Sequence, residues 1–134
     1  MDGVNTVEED QRAPTTILVV EDEENIRNVV VKALKRDGHR VLEASNPWEA
    51  AEVMGCGLFD VDVLFADVIM PGMSGPEFAQ EMRQMQPRLK IVFATGCSQA
   101  EVRDMTGLVD QGYFLQKPYT VDQLREAVRV TLAV

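Results

Sequence analysis

Ile17-Leu18-Val19-Val20-Glu21-Asp22 opens the folded part of the chain: four apolar residues, then two adjacent carboxylates. A short apolar run of this kind reads as a strand, and the acids then mark its carboxyl end. The arrangement returns twice, with Asp67 after Val63-Leu64-Phe65-Ala66 and Lys117 after Tyr113-Phe114-Leu115. In an open parallel sheet, chemistry gathers outside the carboxyl ends of the strands, so residues far apart in sequence should meet in one crevice. Such a crevice would suit a metal ion and a phosphate.

Outward from these runs the chain alternates short apolar stretches with amphipathic ones, the pattern of parallel strands joined by crossover helices. Five strands are predicted, at Ile17–Val20, Arg40–Ala44, Val61–Ala66, Lys90–Thr95 and Tyr113–Gln116. Asn46-Pro47-Trp48-Glu49, Ser74-Gly75-Pro76-Glu77, Ser98-Gln99-Ala100-Glu101 and Thr120-Val121-Asp122-Gln123 each set a capping side chain three residues before Glu or Gln. That spacing satisfies the free amides at a helix start. Stops are read at Asp37-Gly38, Met54-Gly55, Thr106-Gly107 and Pro87, where glycine turns left-handed or proline ends the helix. Ile26, Val29, Val30, Ala33 and Leu34 repeat at the spacing of one buried helix face, as do Val121, Leu124, Val128 and Leu132. Residues 1–14 are polar and acidic and read as a flexible tail; residues 15–134 form one domain.

A net charge of -9 over 134 residues argues against nucleic acid, which demands a basic face. No apolar stretch approaches the roughly 20 residues that span a bilayer, and Met1-Asp2-Gly3 begins no signal peptide, so no membrane association and a cytoplasmic location are expected. Cys56 and Cys97 make no disulfide framework and read as free thiols.

Glu21, Asp22 and Asp67 held together would repel one another and call for a cation. Magnesium (or manganese) fits, because it takes oxygen ligands and keeps several waters beside one or two carboxylates and a phosphate. Lys117 adds a compact positive charge able to pair with Asp67 or with a phosphoryl oxygen, and Thr95 adds a hydroxyl donor. Singly, each has a plainer reading: an acidic helix start, a turn aspartate, a strand threonine, a solvated lysine. Four strand ends that each carry what phosphoryl chemistry needs outweigh those readings.

The motifs Val19-Val20-Glu21-Asp22-Glu23, Asp67-Val68-Ile69-Met70-Pro71-Gly72-Met73-Ser74-Gly75, Ala94-Thr95-Gly96 and Lys117-Pro118-Tyr119 resemble the receiver domain of bacterial two-component response regulators over Thr16 to Thr131. The resemblance implies an α/β fold: a flavodoxin-like (βα)5, doubly wound, five-stranded parallel sheet in the order 2-1-3-4-5. It implies that Asp67 accepts a phosphoryl group from a histidine kinase. Asp22, Asp67 and the backbone carbonyl of Ile69 would hold the metal directly, and Glu21 through water. Thr95, Lys117, Gly96 and Phe114 would form the phosphate-binding and switching set, with Lys117-Pro118 a cis peptide. Histidine kinase and histidine phosphotransferase are the implied partners, and a homodimer through the face of the fourth and fifth helices is a further contact the family allows. Such a protein is not an enzyme acting on a separate substrate; it catalyses only its own phosphorylation and dephosphorylation.

The chain ends near its fifth helix, so no fused output domain is expected, and a freestanding receiver and a piece of a hybrid kinase both fit. A magnesium-dependent phosphohydrolase with an aspartyl-phosphate intermediate is the enzymatic alternative, but it would want an acid two residues after Asp67, where Ile69 stands. A scaffold independent of phosphorylation is the third reading. Apolar Ile69 should slow water attack on the phosphoryl group. The segment Cys97 to Gly112 reads as a short fourth helix interrupted by glycine. His39 reads as a surface turn residue, Trp48 as partly packed, and Met82 and Met85 as core.

Overall fold

The computed structural model describes residues 14–70, 72–96, 101 and 112–133. Along the chain these form β1 (Thr16–Val20), α1 (Glu24–Arg36), β2 (Arg40–Ala44), α2 (Pro47–Gly55), β3 (Val63–Asp67), β4 (Ile69–Met70), β5 (Met73–Ser74), α3 (Gly75–Met85), β6 (Lys90–Thr95), β7 (Tyr113–Gln116) and α4 (Val121–Ala133). Five strands pair in parallel in the order β2-β1-β3-β6-β7, which is 2-1-3-4-5 when only strands of this sheet are counted. β4 and β5 form a separate antiparallel hairpin just beyond β3.

Alternation along the strands divides the core in two. Leu18 and Val20 of β1 pack with Leu64, Phe93, Phe78 and Met82 under α2 and α3, while Ile17 and Val19 pack with Phe65, Val92, Leu34 and Leu124 under α1 and α4. Both faces of the sheet are therefore covered, which is why its strands read as apolar runs rather than as alternating ones. No helix among the described residues is long and apolar enough to cross a membrane.

The capping chemistry works as its spacing implies. Asn46 accepts from the Glu49 amide at 2.8 Å, and Ser74 Oγ from the Glu77 amide at 3.3 Å. Thr120 and Gln123 close a reciprocal box: the Gln123 amide donates to Thr120 Oγ1 at 3.1 Å and the Thr120 amide to Gln123 Oε1 at 2.9 Å. The box at Ser98, the stop at Thr106-Gly107, Cys97, all but Glu101 of the helix expected between β6 and β7 with its share of the dimer face, and residues 1–13 of the tail lie outside the described residues.

Several expectations are corrected. The third strand starts at Val63, not Val61, because Asp62 closes the ladder first: its amide donates to the Thr16 carbonyl at 2.9 Å and its carboxylate accepts from the Thr16 amide at 2.8 Å. After α2 the left-handed glycine is Gly57, at φ +69°, and Gly55 remains helical. Val29, Val121 and Met85 lie outside the buried stripes of their helices, and Val31 takes the place given to Val29. Trp48, read as partly packed, has 56% of its surface exposed.

Candidate functional site at the carboxyl edge of the sheet

The strand order sets β1, β3, β6 and β7 side by side, so their carboxyl ends deliver Glu21-Asp22, Asp67, Thr95 and Lys117 to one edge. Asp67 is the last residue of β3 and still pairs with Ala94 of β6. The Val68 amide continues the ladder by donating to the Ala94 carbonyl at 3.0 Å. One oxygen of Asp67 accepts from the Ile69 amide at 3.0 Å, and the other takes the Lys117 ammonium in an ion pair. Lys117 is anchored in turn, because its amide donates to the Thr95 carbonyl at 2.7 Å and its peptide with Pro118 is cis.

Glu21 and Asp22 follow β1 directly and line a small cleft with Asp67, Ile69, Ser45, Asn46 and Pro47. Glu21 is buried, and that burial, followed by its hydrogen bond with Asp22, pushes its carboxyl above the usual carboxylate range against the pull of Lys117. Burial works against the Lys117 charge, yet the hydrogen bond to Asp67 and the fields of Asp67, Glu21 and Asp22 outweigh it and raise its pKa. The lysine is thus held positive among three acids.

Among the described residues, no three His, Cys, Asp or Glu side chains converge tightly enough to cage a metal by themselves. The donors on this cleft are instead two carboxylates, Asp22 and Asp67, beside the backbone at Ile69, with Glu21 behind them. An all-oxygen set of that size fits magnesium, which completes its shell with water and phosphate; a closed protein cage is not required.

Thr95 ends β6 fully buried, with 2% of its surface exposed. Beside it Gly96 faces open space, since a Cβ there would meet nothing within 4 Å. Phe114 lies one strand over, half-buried and stacked on Phe93 with ring centroids 5.3 Å apart.

Two neighbours were not singled out from sequence. Arg27, on α1, donates to the Glu21 carbonyl at 2.8 Å and pairs with Glu43 at 3.4 Å, tying the acidic turn to β2. An arginine five residues after the acidic pair was the available signal. Tyr119 sets its ring edge-on to Phe65 at 6.2 Å, and its phenol pKa is pushed up to about 12, by burial first and then by Glu21 and Asp67. Its position just after Lys117-Pro118 was the only hint.

With the edge assembled, comparison with known proteins identifies the class. The model of the response regulator receiver domain matches residues 17–129, and the chain belongs to that family of two-component signalling modules. The sensor kinase CckA of Brucella abortus is 36% identical over 124 residues, which cover 92% of this chain and 13% of the kinase. The response regulator receiver protein CpdR of the same organism is 30% identical, with 87% of this chain and 97% of CpdR covered. Among solved structures, the response regulator protein TrrA from Thermotoga maritima, in complex with Mg(2+)-BeF, is similar with a TM-score of 0.74 and 31% identity, covering 87% of this chain and 98% of TrrA. The chain therefore spans a small part of one curated relative and nearly all of another.

Proposed function

We propose that Asp67 is the phosphoacceptor of a phosphorelay and that the protein works by changing its protein contacts when Asp67 is modified. The observation that carries this reading is the Lys117–Asp67 ion pair on the edge where Glu21 and Asp22 line the same cleft. One oxygen of Asp67 is tethered by the Ile69 amide, so the carboxylate is held in one orientation. In transfer from a partner's phosphohistidine, a carboxylate oxygen of Asp67 forms the new bond to phosphorus as the P–N bond breaks, and the imidazole takes up a proton. Lys117 then passes from Asp67 to a phosphoryl oxygen, and the Thr95 hydroxyl donates to another. Magnesium, held by Asp22, Asp67 and the Ile69 carbonyl with Glu21 acting through water, would neutralise charge on the phosphoryl oxygens.

Recruitment of Thr95 would let Phe114 move further inward from its present place against Phe93 and so alter the surface near α4. The partner that delivers phosphate is a histidine kinase or histidine phosphotransferase, in the cytoplasm. An apolar hollow lined by Ile26, Val29, Pro118 and Tyr119 beside Lys117 is suited to receive an apolar helix face of such a partner.

Incubation with magnesium and a small acyl phosphate, followed by peptide mapping, tests the assignment. A phosphoryl adduct on the peptide carrying Asp67, absent in Asp67→Asn, is the expected result. An adduct that survives in Asp67→Asn would overturn it, as would turnover of a phosphomonoester substrate.

A further inference from the structure

The hairpin β4–β5 follows Asp67 and carries Ile69, yet it is only two residues long on each side. Two short pairings, Ile69 with Ser74 and Met70 with Met73, are a weak means of fixing a loop. A second support comes from across the cleft. Gly72 lies in this loop at φ +77°, and the tip of the Trp48 indole sits against it: a Cβ on Gly72 would fall 2.5 Å from Trp48 Cη2 and 3.1 Å from Cζ2.

Trp48 belongs to the first turn of α2, whose start is fixed by Asn46 on the Glu49 amide and by Ser45 Oγ on the Glu49 carboxylate at 2.8 Å. Ser45, Asn46 and Pro47 form one wall of the cleft that Asp67 and Ile69 close from the other side. The indole therefore bridges the two walls. An indole 56% exposed contributes little to the core, so its contact with a side-chain-free residue calls for another account. Gly72 is favoured by its left-handed backbone, and any Cβ there would push the tip of the Trp48 indole off the loop.

We infer that Trp48 is a positioning residue for the phosphoacceptor site: it braces the loop after Asp67 through Gly72 and so fixes where Ile69 stands relative to Asp22 and Asp67. The inference rests on the reading of Asp67 given above. Since Trp48 is the single tryptophan of the chain, its emission also reports on that loop.

The test uses the full chain with magnesium and beryllofluoride as the probe, titrated by calorimetry, in wild type, Trp48→Ala, Trp48→Phe, Gly72→Ala and Asp67→Asn. Trp48→Ala should weaken probe binding by about tenfold, the size of effect seen when groups that orient ligands are removed. Trp48→Phe should recover most of it, and thermal midpoints should stay close to wild type. Gly72→Ala should shift the Trp48 emission without probe and weaken binding as Trp48→Ala does. Wild-type affinity in Trp48→Ala, or weakening that merely follows a lowered midpoint and is not rescued by phenylalanine, would overturn the inference. Undiminished binding by Asp67→Asn would instead sink the phosphoacceptor reading, so the two failures are distinguishable.

Discussion

Asp62 and Asp67 stand at opposite ends of one strand and are put to opposite uses. At the amino end, the Asp62 carboxylate accepts from the backbone amide of buried Thr16, and its own amide returns a bond to the Thr16 carbonyl. Its charge is absorbed into the ladder. At the carboxyl end, Asp67 pairs with the Lys117 ammonium and shares a cleft with Glu21 and Asp22, so its charge faces a side-chain cation and further acids. The difference teaches that residue type alone does not assign chemistry here. Which end of a parallel strand an aspartate occupies decides whether its charge closes the ladder or faces the cleft outside the carboxyl ends.

The contrast can be broken or sharpened by substitution. The largest effect is expected for Asp67→Asn, which should abolish phosphoryl capture while leaving thermal stability close to wild type, because loss of the Lys117 ion pair is offset by relief of the repulsion Asp67 exerts on buried Glu21; acyl-phosphate labelling and a melting curve check both halves. Gly96→Leu should slow labelling by about tenfold by filling the open approach beside Thr95, where misplacement of a reacting group is costly. Asp62→Ala should do the converse of Asp67→Asn: it leaves labelling intact but costs about 1–2 kcal/mol in a urea titration, since the buried Thr16 amide loses its acceptor. Ile69→Asn should speed loss of the phosphoryl group by about threefold, less than 1 kcal/mol of barrier, by giving water a polar neighbour at an exposed position; the lifetime of the labelled protein measures it.

The smallest effect concerns pH. Burial lowers the His39 pKa below its ordinary 6.5, against the pull of Asp37. The folded state therefore binds its proton less readily than the unfolded chain does. This residue costs no stability above about pH 6.5, and the cost grows as pH falls below that value. His39→Gln should flatten that part of the stability profile.

The sheet and the four site-bearing strand ends were legible because apolar runs and the residues that stop them are local signals. The caps at Asn46, Ser74 and Thr120 were legible for the same reason. Helix faces were harder: periodicity places Val29 and Val121 on the apolar side but does not say how wide a stripe the sheet covers, and both edges stay exposed. Val61 looked like a strand residue because it is apolar and buried, but its amide is taken by the Gln86 side chain, outside the ladder. Arg27 on Glu43, Tyr119 beside the acids, and Trp48 on Gly72 are contacts between distant segments, which no window of sequence contains.

Amide chemical-shift mapping of the labelled full chain, with and without magnesium and beryllofluoride, tests the central claim most directly. The account predicts large shifts at Glu21, Asp22, Ile69, Thr95, Gly96 and Lys117, and none at Thr16 or Asp62. Shifts centred on the amino edge around Asp62, or an unchanged spectrum, would contradict it.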